Sequence, residues 1–279
     1  MSSFRRCCEP ALVVLLISST ARAESPSPLA EWQYSAGVLL EQHEEAIPAW
    51  RLESGVTTET LPRVAGSTRY RTWVSPLIDF RYADIAFASI NEGIGINVVR
   101  DPSRRAGIAI TYDLGRSESD TPVGLSRIAP APEVKLFGEQ LLGPCTLRFD
   151  LRRAIGGYDG WMADAGAYVP VFASDSLAVL AGPSLTAASR TALQRYFGVT
   201  PAESQRSGLA IYMPSIGLRS GSLGITLAWD ASAHWLVEGF TAAEYLFHDA
   251  GSSPLVHTRG QFAMGLAISY QLSSETKTR

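Results

Sequence analysis

Along Gln261–Leu272 the side chains alternate without a break. Phe262, Met264, Leu266, Ile268, Tyr270 and Leu272 are apolar, whereas Gln261, Ala263, Gly265, Ala267, Ser269 and Gln271 are small or polar. Successive side chains of a strand point to opposite sides, so this pattern predicts a β-strand with two unlike faces. The stretch exceeds the roughly 5–6 residues of an ordinary strand. It matches the roughly 9–11 residues that a tilted strand needs to cross a bilayer. The bulky face is continuous and the opposite face is small, the reverse of a soluble sandwich. A membrane barrel turns bulky residues to lipid and small or polar ones to its lumen.

The same alternation recurs upstream. Tyr34–Leu40 reads as a first strand and His43–Thr68 as a long polar loop. Tyr70–Tyr82 reads as a second strand, in which Pro76 should bend the strand or mark a bulge. Ala83-Asp84 is a tight turn. Ile85–Val99 is either one strand interrupted at Asn91-Glu92-Gly93 or two short ones. Further strands follow at Gly107–Arg116, Glu133–Leu141, Cys145–Arg153, Trp161–Phe172 and Leu177–Thr186. Strands resume at Gly208–Leu218, turn at Ser220-Gly221, and continue as Ser222–Asp230 and Trp235–Phe247. Between them, Ala187–Arg206 breaks the period, and Thr191–Phe197 and Pro201–Gln205 read as short helical turns, the second with proline at its first position.

Counted this way there are about twelve strands, within a range of roughly ten to fourteen, joined mostly by short turns. The expected fold is all-β: a transmembrane antiparallel up-and-down β-barrel, closed because an open edge in lipid leaves backbone groups unsatisfied. Tyr70, Tyr82, Trp161, Trp229, Trp235 and Tyr270 fall near strand ends, as an interfacial aromatic girdle requires. A lipocalin-like or sandwich protein also alternates, but with shorter strands and charged outer faces.

The N-terminus adds a destination. Arg5 and Arg6 precede the apolar run Ala11–Ile17, and Ala21-Arg22-Ala23 offers a cleavage site. Residues 1–23 are expected to be a secretory signal peptide, leaving 24–279 as a single barrel domain. Charged residues make up 18% of the chain and hydrophobic residues 46%, yet no apolar run reaches the roughly 18 residues of a membrane helix. The net charge of −3 gives no basic footprint for nucleic acid. Cys145 alone follows the signal, so no intramolecular disulfide is expected, and it reads as a small apolar residue.

Candidate chemistry is sparse. The histidines are His43, His234, His248 and His257, and none shows metal-ligand spacing. His248-Asp249 with Ser252 or Ser253 is the one grouping that suggests a rim Ser–His pair, and a solvated loop histidine explains it better. No catalytic, cofactor-binding or metal-binding residue is therefore assigned, and the protein is not expected to be an enzyme. Charged residues do fall on inward faces: Arg71, Asp79 and Arg81, then Arg148, Asp150 and Arg152, and Glu238 with Glu244. They predict a plugging ion-pair network in preference to a solute path. Thr191–Gln205, anchored by Tyr196 and Phe197, is the candidate insert into the lumen.

Several stretches resemble the MipA/OmpV family of Gram-negative outer-membrane proteins. They are Pro76-Leu77-Ile78-Asp79-Phe80-Arg81-Tyr82, Gly93-Ile94-Gly95-Ile96-Asn97, and Tyr112-Asp113-Leu114-Gly115-Arg116 with Glu118. Tyr196-Phe197-Gly198-Val199-Thr200-Pro201-Ala202 with Ser207-Gly208-Leu209 is the most specific, and Asp249-Ala250 with Ser253-Pro254-Leu255-Val256 completes the set. The resemblance implies an outer-membrane barrel of the cell envelope. For one branch it implies a scaffold that brings a periplasmic murein polymerase and a lytic transglycosylase together. The alternative implied by other members and by the charged inward faces is a narrow, porin-like diffusion channel for small solutes.

Overall fold

The computed structural model describes residues 47–274. The expected signal peptide and the expected strand Tyr34–Leu40 lie outside them. The described chain forms β1 (Trp50–Pro62), β2 (Tyr70–Tyr82), β3 (Ala86–Ser89), β4 (Gly93–Asp101), β5 (Arg104–Asp113) and β6 (Ala131–Leu142). These are followed by β7 (Cys145–Ala154), β8 (Trp161–Ala173), β9 (Leu177–Ala188), α1 (Arg190–Phe197) and α2 (Pro201–Ser207). The chain ends with β10 (Gly217–Asp230), β11 (Trp235–Leu246), α3 (His248–Gly251) and β12 (Gly260–Ser273). Each strand pairs with its sequence neighbours, and β12 pairs with β1 to close the barrel. The up-and-down antiparallel barrel expected from the alternation is what forms.

Strand β12 shows why. Ala263, Ala267 and Ser269 are 0–1% exposed and face the lumen, while Phe262 through Leu272 at even positions face out. An apolar outer band is stable only against lipid. Trp161, Tyr245 and Phe262 lie toward one end of the wall, and Trp50, Tyr82, Trp229, Trp235 and Tyr270 toward the other.

The long connections all fall at one end. Turns 83–85, 102–103, 143–144, 174–176 and 231–234 share one end with the start of β1 and the finish of β12. The long segments 114–130, 189–216 and 247–259 all lie at the other. Outer-membrane barrels keep short turns on the periplasmic side and long loops outside. The turn end is therefore periplasmic and the loop end external.

Three expectations need correction. First, β12 is flanked by β1, Trp50–Pro62, which lies inside the segment His43–Thr68 expected to be a loop. The outward phase of β1 carries Leu52, Ser54, Val56, Thr58 and Thr60, too polar to read as a lipid face. Structure satisfies what the pattern could not show: the Thr60 and Thr72 hydroxyls hydrogen-bond to each other at 2.7 Å across β1 and β2. Second, Ser220-Gly221 is not a turn. β10 runs unbroken through it, with a register shift between Leu218 and Ser220, and 208–216 lies outside the wall strands. Third, Pro76 marks no bulge against β1, since the β1–β2 register passes through Val56↔Pro76 without a shift. Ile85–Val99 forms two strands, β3 and β4.

Candidate functional site

The lumen is filled by two kinds of contact. On the β2–β9 side it holds ion pairs. Arg148 donates to Asp150 at 2.7 Å and to Glu139 at 3.2 Å. Arg152 donates to Asp164 at 2.6 Å, and the Thr186 hydroxyl donates to the other oxygen of Asp164 at 2.6 Å. Arg81 pairs with Asp79 at 2.9 Å and Glu92 at 3.5 Å, and Arg105 pairs with Asp84 at 2.6 Å. Charges removed from water are tolerated only when paired and hydrogen-bonded, and the wall supplies both signs from neighbouring strands.

The lumen also holds an apolar cluster. Leu61, Tyr168, Leu180, Phe240, Ala242 and Ala263 form one buried cluster, with Trp73 packed against it. Gly265 makes this possible, because a Cβ there would stand 2.2 Å from the Phe240 ring. Trp73 donates its indole N–H to Glu59 at 3.1 Å. Glu244 and Glu238 both face in and are buried, as expected, and Gln261 hydrogen-bonds to Glu244.

The external end is capped. Ser189 starts α1 by accepting from the Ala192 N–H, and Thr200 starts α2 in a reciprocal capping box with Glu203, with Pro201 at the first turn. Helix α1 presents Ala192, Leu193 and Phe197 to Tyr158, Met162, Leu246 and Ala250, all buried in one cluster. The expected insert Thr191–Gln205 thus covers the mouth. Of its two expected anchors, Phe197 is buried at 2% exposure, while Tyr196 is partly buried and donates its hydroxyl to both Asp113 oxygens at 2.8 Å.

Loop 114–130 ties the cap to the wall. Asp120 accepts from Arg63 and Arg71, and Arg116 donates to the Tyr196 and Ser126 carbonyls. Burial pushes the Asp120 carboxyl up, but hydrogen bonds from Ser117, Arg71 and Arg63 hold it below the ordinary carboxylate range. At Glu203, burial is likewise outweighed by donors from Thr200 and the Ser126 N–H, which bring the carboxyl down to about 2.

The rim grouping around His248 does not assemble. The Ser253 hydroxyl donates to the Phe197 carbonyl at 2.6 Å, Ser252 accepts from Arg259, and Asp249 accepts from Ser215. Among the described residues no group of His, Cys, Asp and Glu could hold a metal ion. Sequence reasoning missed Arg105, Glu133, Glu139 and Asp164, all buried. Their signal was phase: Glu133, Lys135 and Glu139 share one parity on β6, opposite to Val134 and Leu136.

The family described as MltA-interacting protein MipA matches residues 54–272. The chain belongs to the MipA family. As a member of that family with a closed barrel and an apolar outer band, it is an outer-membrane protein. No curated protein matches the chain. Among solved structures, it is similar to the NanC porin at 9% identity and a TM-score of 0.41, over 80% of this chain and 100% of that one. It is also similar to an outer membrane channel from Pseudomonas putida F1 at 8% identity and a TM-score of 0.42, over 82% and 98% of the two chains. A third similar structure is OmpT of Vibrio cholerae, at 7% identity and a TM-score of 0.34, over 82% and 98%.

Proposed function

We propose that this barrel is a non-enzymatic scaffold of the outer membrane, exported by a signal peptide at residues 1–23 and folded as one domain over 24–279. Its partners on this reading are periplasmic murein enzymes: a lytic transglycosylase, as the family's description suggests, and a murein polymerase. The observation that supports this best is the occupied lumen. Among the described residues the pockets between the inward-facing ion pairs measure about 20 and 10 Å³ and the one beneath the cap about 70 Å³, while a wide-open pocket of about 710 Å³ lies along β9–β12. What the barrel does offer to other proteins is a periplasmic ring of short turns around the two ends of its wall. Photocrosslinkers placed at Ser103, Asp175 and Ser232 should capture murein enzymes in intact envelopes. Crosslinkers at those positions that capture only lipid, at native expression, would overturn the scaffold reading.

A further inference from the structure

One part of the wall is short. β3 spans only Ala86–Ser89, beside β2 at Tyr70–Tyr82. Its pairing with β2 stops at Asp79↔Ser89, and its hairpin with β4 turns at 90–92. The hairpin tip is pinned on both sides, by Ile90 N–H to the Ile78 carbonyl at 3.0 Å and by the Tyr112 hydroxyl to the Ile90 carbonyl at 2.9 Å. Toward the external end, β2 continues through Leu77–Tyr70 and β5 through Thr111–Asp113 with no strand between them. This leaves a notch of about two strand spacings, roughly 10 Å, in the outer half of the wall.

An unpaired strand edge facing lipid is costly, and the sequence around the notch is adapted to it. The backbone groups of alternate residues point to the same edge of a strand. Ile78 faces the hairpin, so Pro76 faces the notch, where proline presents no N–H. The lipid-facing residues beside the notch are apolar: Val74 and Ile94 are each 70% exposed and Ile110 63%.

A cavity of about 70 Å³ lies beneath the cap at the same end of the barrel, and its lining includes Trp73 of β2 and Gly115 and Arg116, which follow β5. Leu61 and Trp73 come from the β1–β2 side, Arg116 and Pro122 from the segment after β5, and Arg219 and Leu255 from across the mouth. No acidic residue lines it. Arg219 sits at the register shift between Leu218 and Ser220, which takes it out of the ladder. Bulges of this kind re-aim a side chain, commonly beside a site. The Arg219 guanidinium lies 5.8 Å from the Phe197 ring centroid, its Nε is buried without a hydrogen-bond partner, and it forms no ion pair among the described residues.

We propose that the notch and cavity form a lateral binding site for a single-chain amphiphile with a carboxylate head, taken up from the outer half of the bilayer. The carboxylate pairs with Arg219, and the acyl chain runs out through the notch between Val74 and Ile110. Cavity size fixes this orientation. A volume of about 70 Å³ has room for a few water molecules, enough for a head group but not for a chain. A neutral head would leave Arg219 without its counter-charge. This site is independent of the scaffold reading and stands or falls separately.

Trp73 reports on the cavity directly. In full-length refolded protein with Trp32, Trp50, Trp161, Trp229 and Trp235 changed to Phe, 2-bromododecanoate carries its quencher beside the head group. Its quenching of Trp73 should saturate, and Arg219→Gln should raise the half-saturating concentration at least tenfold. Unbrominated dodecanoate should displace the quencher from the Arg219-containing protein at least tenfold better than dodecanol, a comparison that needs no change at Arg219. Quenching that never saturates, an Arg219→Gln titration superposing on the parent, or equal displacement by the alcohol would each overturn the site. If 2-bromopropionate, which has no chain to lie in the notch, binds as tightly as the long-chain probe, lateral uptake is wrong.

Discussion

Arg148 is where the charge balance of the lumen is most exposed to change. Its guanidinium serves both Glu139 and Asp150, and all three are buried. Arg148→Ala should destabilise the barrel by about 3–5 kcal/mol, because removing one partner strands buried carboxylates. Urea titration followed by heat-modifiable gel mobility reads this directly, and a shift smaller than that of a surface control such as Arg104→Ala would refute it. Glu203 offers a pH-dependent counterpart in the cap. Its folded carboxyl titrates at about 2, below the ordinary value of 4.5, so the stability it adds is present above about pH 4.5 and is lost as pH falls toward 2. Discounted for its partial exposure, that contribution is about 1 kcal/mol. Amide protection factors in α2, corrected for the intrinsic pH dependence of exchange, should therefore fall on acidification, and Glu203→Gln should remove most of that dependence. At this scale, the sequence made Arg148, Asp150 and Arg152 legible, because they alternate with the lipid face of β7. Their partners Glu139 and Asp164 sit on adjacent strands, and only the inter-strand register brings them opposite. Arg71 shows the same limit: it shares a face with Asp79 and Arg81, yet it reaches out to Asp120 in a loop.

Among the elements, β12 was legible end to end and β1 was not. Both alternate. Only β12 does so in hydrophobicity, whereas β1 alternates in which hydroxyls and charges are turned inward. Period-two patterning reveals a strand when its faces differ in transfer energy, and Ser54, Thr58 and Thr60 blur that difference. Strand β10 failed differently, since Ser220-Gly221 carries turn chemistry but serves as an irregularity inside a continuous strand. Depth along β12 now gives a graded expectation. Leu266 lies mid-strand and Leu272 at the periplasmic end, both facing lipid. Leu266→Arg should cost about 2–4 kcal/mol and Leu272→Arg no more than about 1 kcal/mol. Equal losses in a folding titration into lipid vesicles would show that the membrane band is misplaced.

For the molecule as a whole, the occupied lumen makes a simple electrical statement. Purified, refolded protein in a planar bilayer should show no resolved conductance steps under moderate voltage, and reproducible steps would favour the channel reading implied by the charged inward faces. Strand number and closure followed from alternation and from the chemistry of lipid. The twelve strands are not the twelve expected: Ile85–Val99 takes its two-strand alternative as β3 and β4, the segments around Ser220 join into β10, and β1 comes from the expected loop His43–Thr68, while Tyr34–Leu40 lies outside the described residues. The cap was legible as an interruption of the period, but its seat on Tyr158, Met162 and Leu246 depends on contacts between residues far apart in the chain.

The β1–β12 seam also bears on how the barrel is made. Every other wall pairing joins consecutive strands, whereas the backbone N–H of Trp50 reaches Ser274, 224 positions away. Local hairpins can form as the chain emerges. The seam must wait for all of them, and loop-closure entropy makes it the slow, final event. The hydroxyl-rich outer face of β1 suits a strand that spends that interval at the water–lipid boundary. Gly55 sits in the seam with the Ile268 carbonyl oxygen 2.0 Å from where a Cβ would be, so any other residue there would have to push the last two strands to meet apart.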